Sequence, residues 1–141
     1  MIVKNLILRN FRNYDYAKVE FDPKLNVIVG ENAAGKTNLV EAIYFLSLAR
    51  SFRTAEISDL IKNKRQFSEI EARVEQDTIT KDIVALMTSS SKKFVCNEKP
   101  IRKISDLSKL INVIVFEPKD TLMFSDSPLV RSEERRVGNE C

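Results

Sequence analysis

The segment Gly30-Glu31-Asn32-Ala33-Ala34-Gly35-Lys36-Thr37 constrains this chain more than any other, because it fits G-x-x-x-x-G-K-[ST] at every fixed position. Its flanks have the required form. Leu25 to Val29, with Val27, Ile28 and Val29 in succession, reads as a short strand buried on both faces. From Lys36 to about Ala49 the period changes: Leu39, Ala42, Ile43, Leu46 and Ala49 recur at three- and four-residue steps and define one helical face. Gly30 and Gly35 permit backbone angles that a Cβ would resist. The loop can then turn its N–H groups inward as a nest for phosphate oxygens, with the positive end of the helix behind it. Lys36 would reach the β- and γ-phosphates and the Thr37 hydroxyl would hold Mg²⁺. The expected ligand is a nucleoside triphosphate, ATP with Mg²⁺. A chance match at a strand–helix junction is the competing reading, and agreement of strand, loop and helix weighs against it.

The rest of the chain is organised around this loop. Ile2 to Leu8 reads as a strand with Ile2, Leu6 and Leu8 on one face, followed by the turn Phe11-Arg12-Asn13-Tyr14. Ala17 to Phe21 alternates Val19 and Phe21 with Lys18 and Glu20, a second strand. After the long helix, Glu56 to Lys64 reads as a short helix. Ser68 to Glu75 and Thr78 to Met87 read as an antiparallel hairpin joined at Gln76-Asp77. Lys93 to Ile101 reads as another hairpin, turning at Asn97-Glu98. Ser105 to Leu110 reads as a short helix with Ser105 as N-cap, and Ile111 to Phe116 as an apolar strand. Strands, phosphate loop, helix, antiparallel strands and a core strand together predict an α/β nucleotide-binding half with an antiparallel addition.

Composition removes several chemistries. Hydrophobic residues make up 43% of 141, as in a folded domain with a core. The chain has no histidine, which excludes His-based triads and His general bases within it; its two cysteines, Cys96 and Cys141, give no disulfide or zinc framework. No apolar run approaches the roughly 20 residues needed to span a membrane, and the N-terminus has no cleavage-site pattern, so a cytoplasmic location is expected. The net charge of +3, from 23 basic and 20 acidic residues, is a weak pointer to nucleic acid, and a mixed solvated surface accounts for it more readily.

Residues 30–54, GENAAGKTNLVEAIYFLSLARSFRT, with the upstream Leu8-Arg9-Asn10-Phe11-Arg12-Asn13-Tyr14, closely resemble the RecF family of bacterial DNA replication and repair proteins. Asn112 to Pro118, Asp120 and Asp126-Ser127-Pro128 resemble that family's later VVxFxPxDL and GSP segments. Asp126 stands where the family usually has Gly, and Thr121 where it has Leu. The resemblance covers about residues 1–130. It implies a P-loop NTPase of the ABC/SMC-type ATPase head, here its N-terminal half. It also implies binding of DNA (single-stranded or gapped duplex), ATP-dependent dimerisation, and action with RecO and RecR to load RecA. By the same resemblance Gly30 to Thr37 form the ATP loop, Asn38 is a phosphate neighbour, and Arg12 lies near the nucleotide or is a solvated turn arginine. Arg50 and Arg53 contact DNA or sense nucleotide, or are the basic end of a helix complementing its dipole. Lys62, Lys64 and Arg65 follow closely in sequence.

Ile111 to Glu117 has the form of an apolar strand ending in a carboxylate. Pro118 follows directly, and the family places this segment ahead of its acidic strand, so the catalytic acid and the dimer signature are expected elsewhere. Residues 131–141, RSEERRVGNEC, resemble the translation of a common sequencing adapter, RSEERRVGKEC, with only Asn139 different. The expected division is therefore a partial ATP-binding head over 1–130 and a non-native tail over 131–141, a charged surface tail being the alternative. A P-loop phosphotransferase remains a rival, but the hairpin-rich 68–101 stretch does not look like a lid. Another ABC-type DNA-repair head is a second rival, which the SFRT and NVIVFEP segments disfavour. An inert fragment is a third.

Overall fold

The computed structural model describes residues 1–30 and 35–116. Strand β1 (Ile2–Phe11) buries Leu6 and Leu8 completely on one alternating face, and Phe11, off that alternation after Asn10 (φ 51°), is buried as well. Arg12-Asn13 turn the chain into β2 (Tyr14–Glu20), and Phe11 pairs with Tyr14. The same period organises β3 (Phe67–Gln76), where Ser68, Ile70, Ala72 and Val74 are buried, and β4 (Ile79–Thr88), where Ile83, Ala85 and Met87 are. Asp77 and Thr78, with φ of 51° and 67°, form the connection. Two consecutive positive φ angles match the right-handed strand twist of a tight hairpin. Asn97 (φ 48°) and Glu98 (φ 69°) do the same between β5 (Lys92–Cys96) and β6 (Lys99–Ile101). The six strands form one antiparallel sheet, ordered β2-β1-β3-β4-β5-β6.

Helix α1 (Lys36–Leu48) and helix α2 (Ile104–Leu110) close the core over the inward face of this sheet. Phe45 of α1 stacks on Phe94 of β5 at 5.6 Å between ring centroids. The buried Ser47 hydroxyl donates to the Ile111 carbonyl at 2.8 Å, which ties α1 to the chain leaving α2. Burial of side chains of this size contributes about 1.5–3 kcal/mol each, so sheet and helix hold α1 in a fixed orientation.

Several expectations change. Leu25 to Val29 joins no strand ladder and lies in water, Val29 being 83% exposed. Ile111 to Phe116 likewise carries no strand: Ile111 is buried, but Ile114 is 92% exposed. A consecutive apolar run suits a strand with neighbours on both sides, and the antiparallel sheet offers these two segments no rung among the described residues. The two apolar strands expected at 25–29 and 111–116 are therefore not formed. The short helix expected over Glu56 to Lys64 is a single 3₁₀ turn (Ile57–Leu60). Ile61 then makes an antiparallel bridge with Phe11, because the chain bonds to the end of β1 instead of coiling. Finally, Lys103 and not Ser105 caps α2, with no side-chain hydrogen bond, and the turn between β3 and β4 falls one residue later than expected.

Candidate nucleotide site

Gly35 is the hinge between loop and helix. It sits in the left-handed region, φ 86° and ψ 10°, as the residue preceding α1. A Cβ there would lie 2.7 Å from the Tyr14 hydroxyl oxygen and 3.1 Å from Asn13 Oδ1. Tyr14 donates its hydroxyl to the Gly35 carbonyl at 2.9 Å, and burial pushes that phenol up. The β1–β2 turn therefore clamps the start of the helix, and only glycine satisfies both the angle and the space. The Lys36 ammonium donates to the Gly30 carbonyl, spanning the ends of the loop. Thr37 is exposed beside it. Lys36 and Thr37 line a cavity of about 350 Å³ with Ile28, Val40, Phe52 and Phe116. Glu31, Asn32, Ala33 and Ala34 lie outside the described residues.

Beside the loop, Arg12 and Arg53 converge on a residue that sequence reading missed. Glu41, on the inner face of α1, has no exposed side-chain surface. Arg12 grips it with two bonds, Nε to Oε1 and Nη2 to Oε2, both 2.8 Å. Arg53 adds Nη2 to Oε1 at 2.6 Å and Nε to Oε2 at 3.2 Å, and the Ser51 hydroxyl donates to Oε2. Burial pushes the Glu41 carboxyl up, but the bonds from Arg12, Arg53 and Ser51 outweigh it and hold the group below the usual carboxylate range. The bond to Glu41 raises Arg12 in turn. Asn38 completes the network: its Oδ1 accepts from Arg53 and its Nδ2 donates to Asn13 Oδ1 at 2.7 Å.

This clamp organises the next stretch of chain. Ser51 Oγ accepts from the backbone N–H groups of Arg53 (2.9 Å) and Thr54 (3.2 Å), and Phe52 meets Tyr44 edge-on at 5.2 Å. Arg12 N–H donates to the Leu60 carbonyl and Lys62 N–H to the Asn10 carbonyl, both at 2.8 Å. Between these segments opens a cavity of about 950 Å³, lined by Arg12, Asn13, Asn38, Asp59, Lys62 and Arg65 among others. Lys62 and Arg65 share Asp15 at 2.8 Å and 3.3 Å, and the Lys62 bond holds that carboxyl low. Arg12 and Arg53 thus stand at the head of α1, committed to Glu41. Arg50 is exposed at the other end of that helix, just past the left-handed Ala49 (φ 58°).

A glycine-hinged loop leading into a helix, a lysine across its mouth and an antiparallel sheet packed on that helix define an ABC/SMC-type P-loop ATPase head. The chain belongs to the RecF/RecN/SMC N-terminal domain family, whose model matches residues 2–120. Among its relatives, the DNA replication and repair protein RecF of Halalkalibacterium halodurans is 40% identical over 131 residues, 93% of this chain and 35% of that protein. The RecF of Bacillus subtilis (strain 168) gives the same figures. The chain thus spans about a third of the length of these relatives. A solved structure of the recombination mediator protein RecF-ATP in the RecFOR pathway superimposes with a TM-score of 0.79 at 29% identity, over 96% of this chain and 38% of that one. The SMC head domain from Thermotoga maritima shares the fold, with a TM-score of 0.59 at 21% identity over 77% of this chain.

Proposed function

We propose that this chain is the ATP-binding part of a RecF-type recombination and repair mediator. The observation that carries the reading is the fixed start of α1: Gly35 held in the left-handed region by Tyr14 and Asn13, with Lys36 across the loop and Thr37 beside it. The first N–H groups of a helix lack intrahelical partners and suit phosphate oxygens. Lys36 would neutralise the terminal phosphates and Thr37 would hold Mg²⁺. Arg12, oriented by Glu41, would face the nucleotide from the larger cavity, whose volume suits a nucleoside. Asn38 links Arg53 to Asn13 in the turn between β1 and β2. The solved RecF-ATP relative supports ATP as the nucleotide.

Bound Mg²⁺ would supply charge neutralisation for the phosphates; the chain's own residues position them. Glu41 is no catalytic base, because its oxygens are occupied by two guanidiniums and a hydroxyl. No carboxylate lines the cavity at Lys36 and Thr37 among the described residues. The described residues of this site are thus built to bind ATP and bring no carboxylate to it. Glu117, the carboxylate after the apolar run, lies outside the described residues. DNA binding, ATP-dependent pairing of heads, and action with RecO, RecR and RecA are proposed on the likeness to RecF proteins, as is a cytoplasmic location; no helix among the described residues is long and apolar enough to cross a membrane. The test is calorimetric titration of ATP·Mg²⁺ into the folded chain and its Lys36→Ala variant. Loss of most of the affinity in the variant is expected. Equal affinities would overturn the reading.

A further inference from the structure

Between the β5–β6 hairpin and the start of α2 lies a cavity of about 300 Å³ with a floor of Phe94, Ile101 and Leu107. Its rim is Lys92, Lys93, Arg102 and Lys103, all exposed. The stretch from 92 to 103 holds five cations, Lys99 being the fifth, and one carboxylate, Glu98, at the hairpin tip. Phe94 pairs with Ile101 as the last rung between the strands. The next residues outward are Lys93 and Arg102, then Lys92 and Lys103. Arg102 and Lys103 lie past the end of β6, so the four cations gather around one cavity, where like charges repel.

Elsewhere on the sheet three cations are matched: Arg9 with Glu69 at 2.9 Å, Arg73 with Asp82 at 2.8 Å, Lys4 with Glu75 at 3.6 Å. Lys93, Arg102 and Lys103 have no ion-pair partner among the described residues. Lys92 reaches the Ala49 carbonyl, at the end of α1 opposite the phosphate loop. The patch is therefore separate from the nucleotide site, yet connected to it by the length of α1.

We propose that Lys93, Arg102 and Lys103, with Lys92 behind them, bind the phosphate backbone of a nucleic acid. A row of unmatched cations on a rigid hairpin fits a repeating phosphate charge, and its energy comes from counterion release and not from base contacts. The inference rests on the DNA-binding part of the proposed function and assigns it a surface.

The test uses the full chain, a fluorescein-labelled DNA duplex and anisotropy over a salt series. Three charge reversals, Lys93→Glu, Arg102→Glu and Lys103→Glu, are combined. A matched control reverses Lys4, Lys18 and Lys24, on and after the first two strands at the other side of the sheet. The patch variant should weaken binding at least tenfold and lower the slope of log affinity against log salt by about 0.9 for each phosphate that it no longer neutralises. Its circular dichroism and ATP affinity should stay unchanged. Wild-type binding with an unaltered patch variant would overturn the surface while leaving the proposed function standing. Equal weakening by the control would reduce the effect to net charge and also overturn it. No wild-type binding to DNA would sink the surface and the DNA part of the function together, and ATP affinity would then stand alone.

Discussion

The clamp on Glu41 makes a quantitative prediction about coupling. The Glu41 side chain is wholly buried, whereas those of Arg12 and Arg53 are 23% and 32% exposed. Arg12→Ala leaves the carboxylate with Arg53 and Ser51; Arg53→Ala leaves it with Arg12 and Ser51. Each removes charge-assisted hydrogen bonds but not the compensation, so each should cost about 2 kcal/mol. The double variant leaves a buried carboxylate with only a hydroxyl, the situation in which loss of a partner costs about 3–5 kcal/mol. Removing the second arginine from either single variant should therefore cost about 3–5 kcal/mol where the first cost about 2, so the pair loses about 1–3 kcal/mol more than the sum of the singles. A pH signature accompanies this. In the wild type Glu41 is held below its ordinary pKa, so its stabilisation is present above the unfolded value and lost as pH falls through the folded one. In the double variant burial acts almost alone and raises the pKa. Stability should then rise, not fall, as the pH is lowered from neutral toward the ordinary glutamate value. Urea unfolding followed by circular dichroism at several pH values measures both effects. Additive losses, or a double variant with wild-type pH dependence, would refute the clamp.

Two other outcomes are expected. Gly35→Ala should destabilise the chain by about 1–2 kcal/mol from left-handed strain alone, before the contact with Tyr14, and should weaken ATP binding; an unchanged urea midpoint would remove the hinge argument. Deleting residues 131–141 should leave the melting temperature where it is, since those residues are proposed to be non-native; a drop of several degrees, equivalent to about 1 kcal/mol, would mean that the tail packs.

Local patterns are readable from the sequence, and contacts across the chain are not. Helix α1 and the two hairpins follow from signals within a dozen residues: period, the glycine before the helix, and the Asn97-Glu98 turn with both angles positive. Glu41 escapes such a reading because a charge on a helix looks like a gap in the apolar face. Its position does hold a signal. Asn38, Glu41, Ala42, Phe45 and Leu46 share one face, so Glu41 had to be buried and needed cations from elsewhere in the chain. Those cations, Arg12 and Arg53, lie 29 and 12 residues away. The family resemblance offers Arg53 to DNA, to nucleotide or to the helix dipole, and in the fold its guanidinium bonds Glu41 and Asn38. Leu25 to Val29 and Ile111 to Phe116 show the converse. An apolar run reports that a segment suits burial, but a strand exists only where a neighbour pairs with it.

Phosphate binding at the head of α1 is the claim on which the proposed function depends, and amide chemical-shift mapping of this 141-residue chain against ATP·Mg²⁺ reaches that point directly. The largest shifts are expected at residues 30–38 and at Arg12, smaller ones along the wall at 61–66, and none on the outer face of β3 and β4. The Lys36→Ala chain should show none of them. Saturating ATP that leaves residues 30–38 unmoved, or that moves another surface in both proteins, would contradict phosphate binding there.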